Sequence, residues 1–310
     1  MTIMNSAQFR TLVSPIMCAV YDAKYEELKP EYPEVFHVED GMKSDQHVIP
    51  ILSGFGVARE YTSGTPIEYD TGQEIGQAVG RYKEFGLAFA ITKTLVEDGE
   101  EKAIKFAKRY SDELAVSHRE TEELEAASIL NRAFNGSYTG WDSVSLCNAS
   151  HPGVSGTTYS NLLSTPASLS QTSLEQIMVQ IRQAADFNGK KISLKPRKLV
   201  VPPSLMNTAI VLLQTVQRTG TANNDINPIK ASKTLDQDPV IMTRLTSTTN
   251  WFVTTEGRNI DKNGLLFLNR RKLDRDTIGD FETNSMRFKA TRRYVAMWAD
   301  PKYIYGTPGV

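Results

Sequence analysis

Cysteine is scarce in this chain of 310 residues. Cys18 and Cys147 are too few for a disulfide framework, which excludes the small stapled folds and favours a reducing, intracellular origin. The Asn148-Ala-Ser150 sequon then reads as chance. An excess of either charge is missing too. The formal net charge of −1 gives no overall electrostatic reason for strong binding to nucleic acid or to an anionic membrane, although local patches remain open. No stretch approaches the roughly 18 apolar residues that would span a bilayer, so no membrane partner is expected. No signal peptide is read at the start, because the apolar run from Leu12 to Tyr21 is broken by Pro15 and lacks a basic lead.

Motifs of chemistry are equally sparse. There is no Gly-x-x-x-x-Gly-Lys-Ser/Thr loop and no Gly-x-Gly-x-x-Gly between a strand and a helix, so no phosphate cradle or cofactor is expected. His37, His47 and His118 are scattered and point to no metal site. Cys147 and His151 have the spacing of a metal pair or of a nucleophile with its base, but they sit in a Ser/Gly-rich loop without a second cysteine. Glu120, Glu122, Glu123 and Glu125 would spread around a helix, which fits a solvated or intersubunit face better than paired catalytic carboxylates. No catalytic residue is expected. Lys190-Lys191, Lys195 with Arg197-Lys198, and Arg270-Arg271-Lys272 could touch nucleic-acid phosphates, but they lack aromatic interleaving. Solvation or pairing with nearby carboxylates is the plainer reading.

What is present is structural. With 40% hydrophobic and 23% charged residues the chain can bury a sizeable core, divided into more than one lobe. Its organising stretch is Asp98 to Phe134, read as one uninterrupted helix. Asp98 with Glu101 makes a capping box and Asn135-Gly136 a stop. Ala103, Phe106, Ala107, Tyr110 and Leu114 recur at helical spacing, which resumes at Leu124, Ala127 and Leu130 beyond a polar run from Ser117 to Glu123. Such a helix would be about 55 Å long, a beam with other elements laid along it.

Residues 1 to about 50 predict a short helix near Ser6 to Val13, then an extended arm marked by Pro15, Pro30, Pro33 and Pro50. From Ser53 to Thr92, glycines punctuate β-prone runs at Val57 to Tyr61, Pro66 to Tyr69 and Phe85 to Ile91. That pattern predicts a long two-stranded ribbon whose second surface comes from a partner. Ser137 to Pro166 reads as loop. A helix capped by Ser173 and Gln176 and ended by Asn188-Gly189 follows, with Leu174, Ile177, Met178 and Ile181 as its stripe. Lys198 to Pro203 reads as a buried strand and Ser204 to Arg218 as a third helix. Val240 to Met242, Trp251 to Thr254, Gly264 to Asn269 and Met286 to Trp298 are strand-like. In the last, Met286, Phe288, Ala290, Tyr294, Ala296 and Trp298 share one face, and basic residues occupy the other. The fold class is α+β, or α/β for the lobe around Lys198.

Certain landmarks are more specific than these patterns. They are Leu199-Val-Val-Pro-Pro203, the Thr-Ala-Asn-Asn-Asp-Ile-Asn-Pro run at 221–228, Arg244-Leu-Thr before Asn250-Trp-Phe252, Gly264-Leu, Phe288 to Arg293, and Tyr305-Gly-Thr-Pro-Gly309. With Asn148-Ala-Ser-His-Pro152 and Ser160-Asn161, they resemble the Mu-type phage major head subunit family from roughly Thr92 to the C-terminus. The first third matches in layout only. The resemblance implies the Hong Kong 97-type capsid fold: an arm at 1–52, an extended loop (β-hairpin) at 53–92, and a peripheral domain at 93–195 built on a spine helix at 98–134. It further implies a mainly axial domain at 196–263 and a shared β-rich segment at 264–310.

It also implies a function. Many copies would form the pentamers and hexamers of an icosahedral virion shell, assembled in the host cytoplasm around DNA held by non-specific contacts. Scaffold or maturation protease, portal and decoration proteins would be partners. Phe55, Tyr61, Ile67, Tyr69, Tyr82 and Phe85 of the ribbon, and Glu122 and Glu123 of the spine helix, are the candidate intersubunit contacts. An encapsulin-like compartment with protein cargo and a soluble α/β enzyme are the alternatives.

Overall fold

A computed structural model of the protein describes residues 6–310 except 65, 93, 96–98, 219–224, 258–262, 281 and 284. The chain opens with helix α1 (Ser6–Glu27), then strands β1 (His37–Asp40), β2 (Gln46–Leu52), β3 (Glu74–Arg81) and β4 (Lys83–Thr92). The spine helix α2 (Glu100–Asn131) leads into the short strands β5 (His151–Pro152) and β6 (Thr158–Tyr159). Helix α3 (Gln171–Arg182), strand β7 (Lys195–Val201) and helices α4 (Met206–Gln214) and α5 (Pro228–Ser232) follow. Strands β8 (Val240–Ile241), β9 (Trp251–Glu256), β10 (Leu265–Asp280), β11 (Ser285–Trp298) and β12 (Ile304–Thr307) complete the order.

Two four-stranded sheets carry the chain, one ordered β1-β10-β11-β4 and the other β12-β9-β7-β8. In the first, β10 and β11 form a long antiparallel hairpin, and β1 joins β10 in parallel. Burial along β11 follows the expected alternation at Phe288, Ala290 and Tyr294, because period-two apolar residues face the spine helix while their neighbours face away. The second sheet is apolar on both faces: Leu199 to Val201 and Trp251 to Val253 are all fully buried. Helices α3 and α4 cover it with Leu174, Ile177, Ile181, Ala209, Leu212 and Leu213.

The spine helix spans 32 residues, about 48 Å, slightly less than the sequence implies. Asp98, the expected cap, lies outside the described residues, and Gly99 precedes the first turn without a side-chain cap. The helix ends at Asn131 rather than Phe134. Arg132 leaves helical geometry, and the Ala133 N–H closes a tighter turn on the Leu130 carbonyl.

The arm differs most from expectation. Instead of a short helix near Ser6 to Val13 and an extended arm, α1 runs 22 residues through Pro15. A proline within a helix removes one hydrogen bond, and tertiary packing offsets that loss here. Met17 and Tyr21 are fully buried against Ala103, Ala107, Leu114 and Ala115 of the spine helix. Packing of this kind routinely overrides local propensity.

Helix α3 is also shifted. Its capping box is Ser170 with Ser173, whose N–H donates to Ser170 Oγ at 3.2 Å, and it ends at Arg182, before the predicted Asn188-Gly189 stop. The predicted third helix is shorter, α4 ending at Gln214, and Thr221 to Asn224 of the long landmark lie outside the described residues.

Candidate assembly surfaces

The ribbon is displaced from its predicted frame. Its strands are β2 and β3, with Gln46 opposite Arg81 and Ile51 opposite Gly76. The runs at Val57 to Tyr61 and Pro66 to Tyr69 form no strand. They belong to a connecting loop at 53–73, because they have no ladder partner among the described residues. The Phe85 run is a strand, β4, but it pairs with β11 in the main sheet, with Phe85 opposite Arg292.

Side chains rather than a ladder hold the loop. The Gln73 N–H donates to Ser53 Oγ at 3.0 Å, the Gly56 N–H donates to Asp70 Oδ2 at 2.6 Å, and Arg59 pairs with Glu68 at 2.7 Å. Its root is tied to the segment between α3 and β7 by residues whose role there the sequence did not show. Asn188 Nδ2 donates to the Ser53 carbonyl at 3.2 Å, and Lys190 Nζ to the Phe55 carbonyl at 3.0 Å. The Asn188-Gly189 turn was legible, with Gly189 at φ +77°, but the distant carbonyls it meets were not.

This geometry divides the six ribbon candidates. Phe55, Tyr61, Ile67 and Tyr69 point outward, Tyr69 with 99% of its surface exposed, and Leu52 and Val57 join them. Tyr82 and Phe85 do not belong to this surface. Tyr82 is 8% exposed and packs with Ile51, Ala78, Val295 and Met297, while the Phe85 ring stacks on Tyr294 at 4.5 Å. They are intrachain contacts, since the chain between β3 and β4 turns inward at Tyr82.

Glu122 and Glu123 are likewise corrected. Glu122 is fully buried, where it accepts from Tyr25 Oη at 2.6 Å and Arg119 Nη1 at 2.9 Å and pairs with Arg292 of β11. Arg119 also donates to the Tyr25 carbonyl at 2.9 Å and lies over that ring. The cluster rivets α1, α2 and β11 together. Glu123 accepts the Glu31 N–H at 2.6 Å, and burial raises its carboxyl above the ordinary value despite that bond. Glu120 pairs with Arg244 and Glu125 with Lys83 at 2.9 Å, so the acidic run faces its own chain.

Cys147 and His151 do not form a site together. The Cys147 thiol is buried, which pushes its pKa far above the ordinary value and makes a thiolate inaccessible. His151 is fully buried, with Nδ1 at 2.6 Å from Asp142 Oδ2 and Nε2 at 3.0 Å from Asn161 Oδ1. Asn161 in turn donates to the carbonyls of Leu146, Pro301 and Ile304, holding the loop after the spine helix to the chain's end. The landmark residues His151 and Asn161 therefore serve a structural polar hub. Among the described residues, no group of three or more His, Cys, Asp or Glu side chains is arranged to hold a metal.

A family model described as phage capsid protein matches residues 80–306. The chain belongs to the phage capsid protein family. The match takes in β4, β10 and β11, the spine helix and the second sheet as far as Gly306, and starts before the Thr92 limit of the sequence resemblance. No curated protein matches the chain. Among solved structures, the capsid of a native GTA particle is similar at 12% identity over 91% of each chain, with a TM-score of 0.54. The capsid structure of cyanophage P-SCSP1u gives 10% identity over 89% of this chain and 86% of that one, with a TM-score of 0.54. A structure of Mycobacterium phage Adephagia gives 10% identity over 91% of both, with a TM-score of 0.51. At these identities the likeness carries the fold alone, the α+β Hong Kong 97-type capsid fold, with α2 as its spine helix.

Proposed function

We propose that this phage capsid protein is the major head subunit, many copies of which close as pentamers and hexamers into an icosahedral shell around packaged DNA. It acts as a structural protein and not as an enzyme. The observation that carries the assembly step is the loop at 53–73. It holds five large apolar side chains, Phe55, Val57, Tyr61, Ile67 and Tyr69, in water and is anchored at its root. A single chain gains nothing from such a surface, whereas a neighbour that covers it gains on the order of 1.5–3 kcal/mol per buried aromatic or aliphatic side chain. Repetition around a closed symmetric ring then makes loss of one copy improbable.

In this reading β1, β4, β10 and β11 with α2 form the peripheral domain, and the β12-β9-β7-β8 sheet with α3 and α4 forms the axial one. Assembly takes place in the host cytoplasm, with scaffold or maturation protease, portal and decoration proteins as partners.

The test is electron microscopy and sedimentation of the purified protein beside a variant whose residues 57–71 are replaced by a short Gly-Ser turn. The parent should form closed particles or rings of five and six. The variant should keep its circular dichroism spectrum and cooperative melting but form no normal particles. A parent that stays monomeric or dimeric across a wide range of concentration and salt would overturn the proposal. Shells of parental yield from the variant would remove the loop from it.

A further inference from the structure

Most of the basic residues that stand out in the sequence are accounted for within the chain. Lys198 pairs with Glu34, Arg271 with Glu84 and Lys272 with Asp40, while Lys190 and Lys191 donate to backbone carbonyls. Lys195 and Arg197 are different. They open β7, and the fold brings Arg182, the last residue of α3, and Lys233, just after α5, to the same open cleft of about 500 Å³. Among the described residues, none of these four cations has an ion-pair partner.

The cleft is built rather than incidental. The Asp236 N–H donates to the Arg197 carbonyl at 2.7 Å, which fixes the loop after α5 against β7. Lys233 adopts the left-handed conformation, at φ +49°, as that loop turns. Asp236 and Glu256 also line the cleft, so its balance is four positive against two negative, a surplus of two. Lys195 and Glu256 are opposite one another in the ladder, yet they make no ion pair. The walls hold no aromatic or large aliphatic side chain that would anchor a protein segment. Hydrophilic walls with cationic ends free of ion pairs among the described residues suit a ligand that is uniformly anionic and carries its charge on repeated, strongly hydrogen-bonding oxygens.

We propose that this cleft is a sequence-independent contact site for the phosphate backbone of nucleic acid, with Arg182, Lys195, Arg197 and Lys233 as its ligands. The choice of DNA over other polyanions rests on the shell function proposed above. The small surplus of charge fits a weak contact repeated many times over a shell, which holds a genome without selecting sequence.

The experiment uses the full chain, both as unassembled subunits and as particles. A labelled mixed-sequence DNA duplex is the probe, and pyrophosphate and a poly-glutamate peptide are competitors. The variant R182S/K195S/R197S/K233S should bind the duplex at least about 10-fold more weakly at low salt, and its log–log salt slope should shrink by about 2 to 4, near 0.9 per lost phosphate contact. The charge-conserving variant R182K/K195R/R197K/K233R should bind like the parent, which separates lost charge from lost folding. Equal affinity and slope for parent and serine variant would overturn the proposal. So would tighter capture of poly-glutamate than of duplex, which would assign the cleft to an acidic protein segment. Displacement of the duplex by pyrophosphate at concentrations far below those of competing salt would overturn it too, in favour of a small-anion site. Because binding is read on unassembled subunits, failure of the shell function appears separately, as absence of particles.

Discussion

The loop at 53–73 and the acidic turn of the spine helix send the same message in sequence. Each concentrates residues that one chain alone has no evident use for, aromatic and apolar groups in the loop and carboxylates at Glu120 to Glu125 in the helix. In three dimensions they part company. The loop leaves Phe55, Tyr61, Ile67 and Tyr69 in water, whereas the helix uses Glu122 to bind α1 and β11 and Glu123 to hold the Glu31 N–H beyond α1. An unpartnered apolar group on a glycine-rich loop has few residues near enough to cover it. A carboxylate on a central helix is within reach of every element laid along that helix, so its partner is more often internal.

The sharpest way to break this contrast is to remove the Glu122 carboxylate. Glu122→Leu leaves Arg119 and Arg292, with side chains only 13% and 11% exposed, without their anion. Urea denaturation of the unassembled subunit should show a loss of about 3–5 kcal/mol, as for a buried ion pair cut in half. Adding Arg119→Met and Arg292→Met should recover most of that loss, because an apolar replacement of the whole cluster leaves no orphaned charge. If Glu122→Leu instead spares stability and slows particle formation, the carboxylate faces a neighbour and the contrast fails.

The complementary change is smaller for the subunit and decisive for the shell. Replacing Phe55, Tyr61, Ile67 and Tyr69 together with serine should move subunit stability by no more than about 0.5 kcal/mol per site, since exposed positions contribute little. Particle yield, measured by sedimentation, should fall to background. A destabilised subunit with normal particles would reverse the two assignments.

Much of this was legible from sequence where one element supplies its own signal. The three- and four-residue spacing from Ala103 to Leu130 marks the spine helix, and the alternation from Phe288 to Tyr294 marks β11. Legibility stopped where a remote partner decides. Pro15 argues against a long α1, and only the buried contacts of Met17 and Tyr21 with the spine helix override it. Glu122 looks solvated because its partner Arg292 is 170 residues away. The β-prone runs beside Gly56 and Gly64 carry strand propensity without a ladder, so propensity alone misplaced the ribbon. The cation cleft shares this limit: Lys195 and Arg197 were visible as a group, but nothing in the sequence places Arg182 and Lys233 beside them.

A pH titration sharpens the internal side of the comparison. His118 is buried beside Tyr21, and burial lowers its pKa below the ordinary 6.5, against the opposing pull of the Glu122 carboxylate. The unfolded chain therefore takes up a proton on acidification before the folded one does. The associated stability is fully present above 6.5 and is lost as pH falls from 6.5 through the lowered folded value. The melting temperature of the subunit should drop across that window, and His118→Gln should flatten this part of the profile. An unchanged profile in the variant would show that His118 is not a source of acid sensitivity.

The smallest effect belongs to the loop's own ion pair. Arg59 and Glu68 lie 2.7 Å apart, but their side chains are 80% and 71% exposed, so water and salt screen most of their attraction. Holding two long side chains in one geometry costs entropy that offsets much of what remains. Arg59→Ala with Glu68→Ala should therefore change subunit stability by less than about 0.5 kcal/mol, within the usual range for exposed pairs. Its informative readout is assembly. If the apolar groups alone make the neighbour contact, particle yield stays at the parental level and keeps the same salt dependence. If the pair presents the loop in a docking-ready shape, or meets charges on the neighbour, yield falls at low salt and the parent–variant gap closes as salt is raised.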